Sequence, residues 1–177
     1  MVDLIPILNE DEIEKMVADI AQKISDDYKN SELVLIGVLK GAFVFMSDLI
    51  RKITIPVKID FVGISSYGSN TVSSGKITLT RNIEIDIKNK DVLIIEDIVD
   101  TGLTLKYLID YLKSFDPKSV KICALLDKHE RRETEINIDY PCHKIEKGFI
   151  VGYGIDYAED YRNLPAIYHL KPKLSYC

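Results

Sequence analysis

The sequence predicts an α/β fold, a mostly parallel twisted sheet with helices on both faces. Apolar runs of strand length alternate along the chain with segments whose apolar residues recur at helical spacing, as in βαβ units. Three runs are almost continuously apolar, which is typical of strands buried on both faces; they cover residues 33–39, 92–95 and 120–126. With 177 residues, 46% of them apolar, the chain suits a single domain, residues 1–177, with a sizeable core.

The first helix is marked by a capping box, in which Asn9 is followed three residues later by Glu12. Apolar residues then recur at helical spacing, and we expect the helix to end near Tyr28. The apolar residues are Ile13, Met16, Val17, Ile20 and Ile24. The strand at 33–39 comes next, and the break at Lys40-Gly41 leads into a second predicted helix, which covers residues 42–52.

The middle of the chain is predicted to contain one further strand and two exposed pieces. Residues 57–64 alternate between apolar and polar only in part, and we interpret them as a strand. Residues 77–80 and 83–87 are short alternating segments, for which we expect exposed strand or hairpin structure.

The next stretch is the most informative part of the chain. The buried strand at 92–95 ends in two acids, Glu96 and Asp97, and Asp100-Thr101-Gly102 follows. Apolar residues then recur at helical spacing until Asp116-Pro117 ends the helix. They are Leu105, Leu108, Ile109, Leu112 and Phe115. Three more strands are predicted, at residues 120–126, 149–154 and 166–170.

Polar and charged residues of chemical interest come directly after the apolar strands. They are Lys40-Gly41, Ser66-Tyr67, Glu96 to Thr104, Lys128 and Tyr153 to Asp156. In α/β sheets, ligands bind at the carboxyl ends of the strands, near the point where the strand order switches. The shared placement therefore predicts that these residues form one site.

A strand, a short turn and a helix N-terminus, as predicted for residues 92–105, form an anion site. Free backbone N–H groups and the positive end of the helix dipole can hold a phosphate there. Three carboxylates, those of Glu96, Asp97 and Asp100, would repel the phosphate unless they bind hydroxyls or a cation. A phosphorylated sugar together with Mg²⁺ fits this combination.

Two other interpretations compete for the same stretch. A βα turn with an Asp or Thr N-cap explains Asp100 or Thr101, but it does not explain Glu96 and Asp97 as well. Asp-Thr-Gly is also the signature of aspartic proteases. Those enzymes need a second aspartate from a partner lobe or subunit and an all-β chain, whereas a strong helix follows here.

A P-loop is suggested by Gly68 to Lys76, but the spacing rules it out. Six residues, not four, separate Gly68 from Gly75. Ile77 also stands where a P-loop needs a serine or threonine to hold Mg²⁺.

Residues 92–105 resemble the phosphoribosyl-pyrophosphate (PRPP) loop of type I phosphoribosyltransferases. Shorter motifs extend the resemblance over nearly the whole chain, in the order of the hypoxanthine–guanine branch and most closely its compact bacterial form. The motifs are Val38–Gly41, Asp60-Phe61, Ser65–Gly68, Leu125–Lys128 and Val151–Asp156. Each is weak alone, but the ordered set is specific. The resemblance implies the fold predicted above, with a small hood built from the chain ends.

The resemblance implies roles for the residues after the central strand. The 5′-phosphate of PRPP would be bound by residues 100–104, namely Asp100, Thr101, Gly102, Leu103 and Thr104. Glu96 and Asp97 would bind the ribose hydroxyls and Mg²⁺, and Asp156 would be a second metal-linked acid. Asp100 would also be the general acid/base that exchanges a proton with purine N7. Some relatives carry lysine where this chain has Leu103, so the phosphate must be held by the other groups.

The resemblance also implies a pyrophosphate site and a purine site. Pyrophosphate would contact the Lys40-Gly41 loop, which in this family often contains a non-proline cis peptide, and Ser66, Tyr67 and Arg162. Residues 65–76 would form a mobile lid that excludes water from the activated sugar. The purine would meet Lys128 at its O6, the stacked ring of Phe149, and Ile150 and Asp156. Each of these residues also has a simpler interpretation. The lysines and Arg162 could be surface charges, Phe149 a core aromatic, and Asp156 a turn residue.

The implied reaction converts hypoxanthine or guanine and PRPP to IMP or GMP and pyrophosphate, with Mg²⁺ as cofactor. A homo-oligomer, a dimer or a tetramer, is expected by resemblance alone. The main alternative is a PRPP-sensing regulator on the same fold. Regulators that act on DNA generally add a basic winged-helix domain, for which the chain has no spare length, and Asp100 and Lys128 favour an enzyme.

Composition narrows the partners and the compartment. The net charge is −5 and basic residues cluster only at Arg131-Arg132, so we expect no nucleic-acid binding. No signal peptide is recognisable, and no apolar run approaches the roughly 20 residues of a membrane helix. The three cysteines, Cys123, Cys142 and Cys177, show no metal-binding or disulfide spacing. We therefore expect a cytoplasmic protein.

Overall fold

The chain forms a six-stranded sheet, a smaller three-stranded sheet and three helices in a computed structural model, which describes residues 2–66 and 77–172. In chain order the elements are β1 (Val2–Leu8), α1 (Glu10–Asp27), β2 (Leu33–Leu39), α2 (Phe43–Lys52), β3 (Val57–Ser66), β4 (Ile77–Arg81), β5 (Asp91–Val99), α3 (Leu103–Lys113), β6 (Ser119–Lys128), β7 (Tyr140–Ile145), β8 (Ile150–Val151) and β9 (Ile167–Pro172). No described helix is long and apolar enough to cross a membrane.

The large sheet has the strand order β4-β3-β2-β5-β6-β7. All neighbours pair in parallel except β4, which lies antiparallel to β3 at one edge. The chain passes from β2 outward to β3 and later returns on the other side of β2 as β5. The strand order therefore switches between β2 and β5, so the loops after these two strands flank the place where such sheets bind ligands.

Helices cover both faces of this sheet, as predicted. Side chains on β2 alternate between two cores, with Leu33 and Leu35 in the core beneath α1 and α2, and Val34 and Ile36 in the core beneath α3. Because both faces are covered, the central strands are apolar throughout rather than alternating. The predicted α/β class, a mostly parallel sheet between helices, is confirmed.

The capping box at the start of α1 is also confirmed. The Glu12 N–H donates to the side chain of Asn9 at 2.9 Å, and the Asn9 N–H donates to the Glu12 carboxylate at 2.8 Å. The helix ends at Asp27, one residue before its cap at Tyr28.

The chain ends form the hood implied by the resemblance. β9 pairs antiparallel with β1 on one side and with β8 on the other. The sequence analysis missed β1, because Pro6 interrupts its apolar residues, and the edge strand β7, which contains Pro141.

Two predicted strands are wrong in whole or in part. Residues 83–87 form no strand, because the N–H groups of Glu84 and Ile85 donate to the buried Asp60 carboxylate instead of a neighbouring strand. Only Ile150 and Val151 of the predicted strand at 149–154 are extended in a sheet. The following residues 152–154 all have positive φ, between 52° and 99°, which ends the strand.

Candidate functional site

Three loops meet at the switch point of the sheet. The Leu39–Lys40 peptide after β2 is cis, as the resemblance implied for this loop. A Cβ atom at Gly41 would lie 1.7 Å from Oδ2 of Asp97, so only glycine lets this loop pack against the end of β5. Gly154, with φ of 98°, approaches the Gly41 carbonyl so closely that an added Cβ would lie 2.3 Å from its oxygen. The loop after β2 therefore contacts both the end of β5 and the loop after β8.

Glu96 and Asp97 are buried side by side at the end of β5, with only 7% and 9% of their surfaces exposed. Burial raises the pKa of the Glu96 carboxyl well above its usual range, and the charge of Asp97 raises it further. Burial also raises the pKa of Asp97, although the nearby Arg162 guanidinium acts in the opposite direction. A pair of this kind is stabilised by a shared proton or by a cation.

Replacing Glu96 by glutamine should therefore stabilise the ligand-free protein. Folding raises the pKa of Glu96, so the unfolded chain loses this proton at a lower pH than the folded protein does. The folded state therefore becomes less stable as the pH rises above 4.5, the ordinary pKa of the carboxyl, toward the raised value. Glu96→Gln removes this loss, and we expect a Tm gain of about 2–5 °C at pH 8 that shrinks at pH 5.5. Thermal unfolding without divalent cations measures it, with Glu14→Gln on the exposed face of α1 as control. If the Tm of Glu96→Gln does not rise, or rises equally at pH 8 and pH 5.5, the raised pKa of Glu96 is contradicted.

A cavity of about 130 Å³ lies between the end of β5 and the first turn of α3. It is lined by Glu96, Ile98, Val99, Asp100, Thr101, Gly102, Thr104 and Leu105. Gly102 caps α3 with φ of 83°, and an added Cβ would lie 2.7 Å from the Thr134 carbonyl oxygen. Leu103 is 37% exposed and does not line the cavity. The wall of hydroxyls and helix N-terminus suits a phosphate group.

Asp100 and Lys128 face each other beside this cavity. The Lys128 ammonium, on a residue only 6% exposed, lies 3.7 Å from Oδ2 of Asp100 and 3.2 Å from Oε2 of Glu130. Oδ1 of Asp100 is buried and has no hydrogen-bond partner. A buried acceptor without a partner is costly in a ligand-free site and is available to a donor on a ligand.

An exposed aromatic surface lies at the edge of the hood. Phe149 is 53% exposed, and Tyr157 meets its ring edge-on at a centroid distance of 6.0 Å. The guanidinium carbon of Arg131 also lies 6.0 Å from the Phe149 centroid. Ile150, which follows Phe149, is buried and pairs with His169 in β9. The hood therefore presents an exposed aromatic ring directly before strand β8.

The comparisons agree with this geometry. The family model described as Phosphoribosyl transferase domain matches residues 6–158. The hypoxanthine-guanine phosphoribosyltransferase of Bacillus subtilis is 44% identical over 94% of this chain and 92% of its own.

The chain belongs to the hypoxanthine–guanine phosphoribosyltransferase family.

Solved structures of the family superpose closely on the chain. A hypoxanthine phosphoribosyltransferase of Staphylococcus aureus has a TM-score of 0.91 at 43% identity, covering 97% of this chain and 94% of its own. The Trypanosoma cruzi hypoxanthine phosphoribosyltransferase has a TM-score of 0.88 at 40% identity, covering 94% and 91%. Its structure was described for the role of its C-terminal region in oligomeric state and activity. The chain is accordingly a phosphoribosyltransferase of purine salvage.

The two cations that family resemblance assigns to pyrophosphate are held by acids of the hood. The Lys40 ammonium lies 2.6 Å from Oε2 of Glu159, and the Arg162 guanidinium lies 2.7 Å from Oδ1 of Asp156 and 3.4 Å from the same Glu159 oxygen. The backbone at Glu159 is left-handed, with φ of 69°. The Glu159 carboxylate therefore contacts both cations.

Some of the family's expected groups are not brought together or lie outside the described residues. Asp156 pairs with Arg162, and within residues 2–66 and 77–172 no three metal-binding side chains cluster. The side chain of Ser66, Tyr67 and the lid up to residue 76 lie outside the described residues, as does Cys177. The roles assigned to these residues stay predictions.

The sequence analysis missed several residues that complete the site. Glu130 binds Lys128 and also accepts the Gly148 N–H at 3.0 Å, and Glu159 binds Lys40 and Arg162. No local pattern marks such exposed acids. Arg132 was noted only as half of a basic pair, although its guanidinium contacts the backbone of Asp100.

Proposed function

We propose that the chain transfers the 5-phosphoribosyl group of PRPP to N9 of hypoxanthine or guanine, giving IMP or GMP and pyrophosphate. The observation that carries the proposal is the Asp100–Lys128 pair, 3.7 Å apart, beside a cavity large enough for a phosphate group. A proton acceptor and an ammonium donor at this separation match N7–H and O6, which are neighbours on a 6-oxopurine.

In the proposed reaction the C1–O bond to pyrophosphate breaks and the C1–N9 bond forms. The sugar passes through an oxocarbenium-like state, and the bonding electrons leave with pyrophosphate. The N7 proton of the purine passes to the carboxylate of Asp100 as N9 attacks. The hydroxyls and amides of residues 101–104 hold the 5′-phosphate, so the sugar is fixed while C1 moves toward N9.

The buried pair of Glu96 and Asp97 fits a divalent cation, because a cation would compensate the burial that raises both pKa values and the charge of Asp97 that raises the pKa of Glu96 further. Mg²⁺ is commonly bound by one or two carboxylates and otherwise by substrate oxygens and water, so a third protein acid is not required. Bound there with PRPP, Mg²⁺ would neutralise charge on the leaving pyrophosphate. Asp156 is proposed as a second metal-linked acid and a purine contact, and its carboxylate pairs with Arg162 at 2.7 Å.

Lys128 should select 6-oxopurines. Its ammonium donates to O6, whereas the 6-amino group of adenine would present a second donor and leave both unpaired, at a cost of ~1–3 kcal/mol. We expect Lys128→Ala to raise the hypoxanthine KM about 10- to 100-fold while the PRPP KM changes less than about threefold. Steady-state kinetics with each substrate varied test this, with the exposed Lys58→Ala as control. Unchanged purine KM values would remove Lys128 from this role.

The reaction itself is tested by mixing the protein with PRPP, Mg²⁺ and hypoxanthine and measuring IMP and pyrophosphate together. Equal amounts of the two products support the proposed transfer. Pyrophosphate without IMP would indicate hydrolysis of PRPP instead, and neither product would contradict the proposal.

We further propose a homo-oligomer, a dimer or tetramer, acting in the cytoplasm. Support comes from the Trypanosoma cruzi relative, whose oligomeric state was described together with its activity.

A further inference from the structure

Arg132 lies directly beneath the loop that carries Asp100. Its Nε donates to the Asp100 carbonyl oxygen at 2.9 Å, and its Nη2 donates to the Val99 carbonyl oxygen at 3.1 Å. The same Nη2 lies 3.1 Å from the carbonyl oxygen of Lys128. One planar guanidinium therefore contacts the backbone on both sides of the Asp100–Lys128 pair.

The guanidinium is itself held in place. Oδ1 of the buried Asp127 accepts from Nη2 of Arg132 at 2.6 Å, and only 13% of the Arg132 side chain is exposed. His129 contacts the other oxygen of Asp127 at 3.0 Å. A charge-assisted bond in a site with little solvent fixes the plane of the fork more firmly than a surface pair would.

The residues after Arg132 extend the support along the phosphate loop. The N–H groups of Glu133 and Thr134 both donate to the Thr101 carbonyl oxygen, at 3.0 and 3.1 Å. The Thr134 carbonyl lies so close to Gly102 that no side chain fits between them. Residues 132–134 therefore brace the loop at Val99, Asp100 and Thr101 in succession.

We propose that Arg132 is a positioning residue, which fixes the backbone of Asp100 relative to that of Lys128 so that both side chains meet one purine. Arg132 acts on Asp100 and Lys128 through their backbone carbonyls and not through their side chains. The kinetic part of the proposal rests on the proposed function, whereas the structural part concerns the loop at 99–104 alone.

Arg132→Lys is the informative variant. Lysine keeps a positive charge beside Asp127, whereas alanine would leave this buried carboxylate with only its contact to His129 and would endanger the fold. Lysine has a single side-chain nitrogen and no counterpart of Nε, so it cannot keep the bond to the Asp100 carbonyl while its ammonium stays beside Asp127. Arg51→Lys, an equivalent change on the exposed face of α2, is the control.

Two measurements on the same preparations test the proposal. Amide hydrogen exchange of residues 99–104 should be about tenfold faster in Arg132→Lys than in the wild-type protein, with no change in Arg51→Lys. In the nucleotide-forming assay, kcat should fall about 10- to 100-fold in Arg132→Lys while the PRPP KM changes less than about threefold, since displacing a catalytic group by ~1 Å costs about that much.

The two measurements separate the positioning role from the proposed function. Unchanged exchange at residues 99–104 would overturn the positioning role whether or not the wild-type protein forms nucleotide. A wild-type protein without activity, together with faster exchange in Arg132→Lys, would overturn the proposed function. The structural role of Arg132 at residues 99–104 would still hold. Faster exchange over the whole chain, with every kinetic constant impaired alike, would overturn positioning in favour of a general structural role.

Discussion

Asp100→Asn should lower kcat by roughly 10²–10⁴-fold while the PRPP Kd stays within about threefold of the wild-type value. Asparagine has nearly the same shape as aspartate, so the turn and the cavity wall are retained. It cannot accept the purine proton, and the buried Oδ1 that lacks a partner in the ligand-free site loses its charge. Initial rates of IMP formation and calorimetric titration with PRPP measure the two constants.

Asp110→Asn, the same substitution on the exposed face of α3, controls for a change in net charge. A near-normal kcat in Asp100→Asn would remove Asp100 from proton transfer. A loss of PRPP affinity as large as the loss of kcat would instead make Asp100 a phosphate-loop residue.

Gly41→Ala should weaken PRPP binding about 10- to 100-fold. The added methyl would lie 1.7 Å from Oδ2 and 2.5 Å from Cγ of Asp97, so either the Lys40-Gly41 loop or the buried carboxylate must move by more than ~1 Å. Both belong to the proposed PRPP site, and Gly154 packs against the Gly41 carbonyl, which restricts movement in the other direction. Titration calorimetry with PRPP and Mg²⁺ measures the change.

Gly37→Ala is the matched control for overpacking. It lies within β2, where an added Cβ would lie 2.4 Å from Sδ of Met46 and 2.9 Å from the Phe61 ring. We expect this variant to lose about 1–3 kcal/mol of stability but to keep its PRPP affinity. If Gly41→Ala also loses only stability, the loop after β2 does not shape the PRPP site.

The central part of the fold was predictable because its strands are buried on both faces. Continuous apolar runs cannot be mistaken for exposed segments, and β2, β5 and β6 lie where the sequence predicts them. The capping box located the start of α1 because both of its bonds are local in sequence.

The edges of the fold were harder to predict. Residues 83–87 alternate as a strand does, but their N–H groups are satisfied by the carboxylate of Asp60, and no local pattern encodes a bond across 24 residues. β1 and β7 contain proline and lie at sheet edges, where a missing N–H is tolerated.

The position of the candidate site was predictable, whereas its electrostatic partners were not. Polar residues that follow parallel strands meet at one edge of the sheet, and the structure places Gly41, Asp97 and Asp100 there. The pairing of Lys40 with Glu159 joins residues 119 positions apart, and Arg132 reaches the backbone of Asp100 across 32. Such contacts depend on how the hood and the sheet pack together, which spacing along the chain does not determine.

The most direct test of the proposed function is a nucleotide-forming assay with PRPP and Mg²⁺, in which hypoxanthine, guanine, xanthine, adenine and uracil are offered in parallel. We expect IMP and GMP to form and AMP and UMP to be absent, because Lys128 requires an acceptor at purine position 6 and Asp100 requires a proton at N7. No product from any base, with PRPP still bound, would contradict the enzyme and favour a PRPP-sensing protein on the same fold. AMP formed as readily as IMP would contradict the purine selection assigned to Lys128.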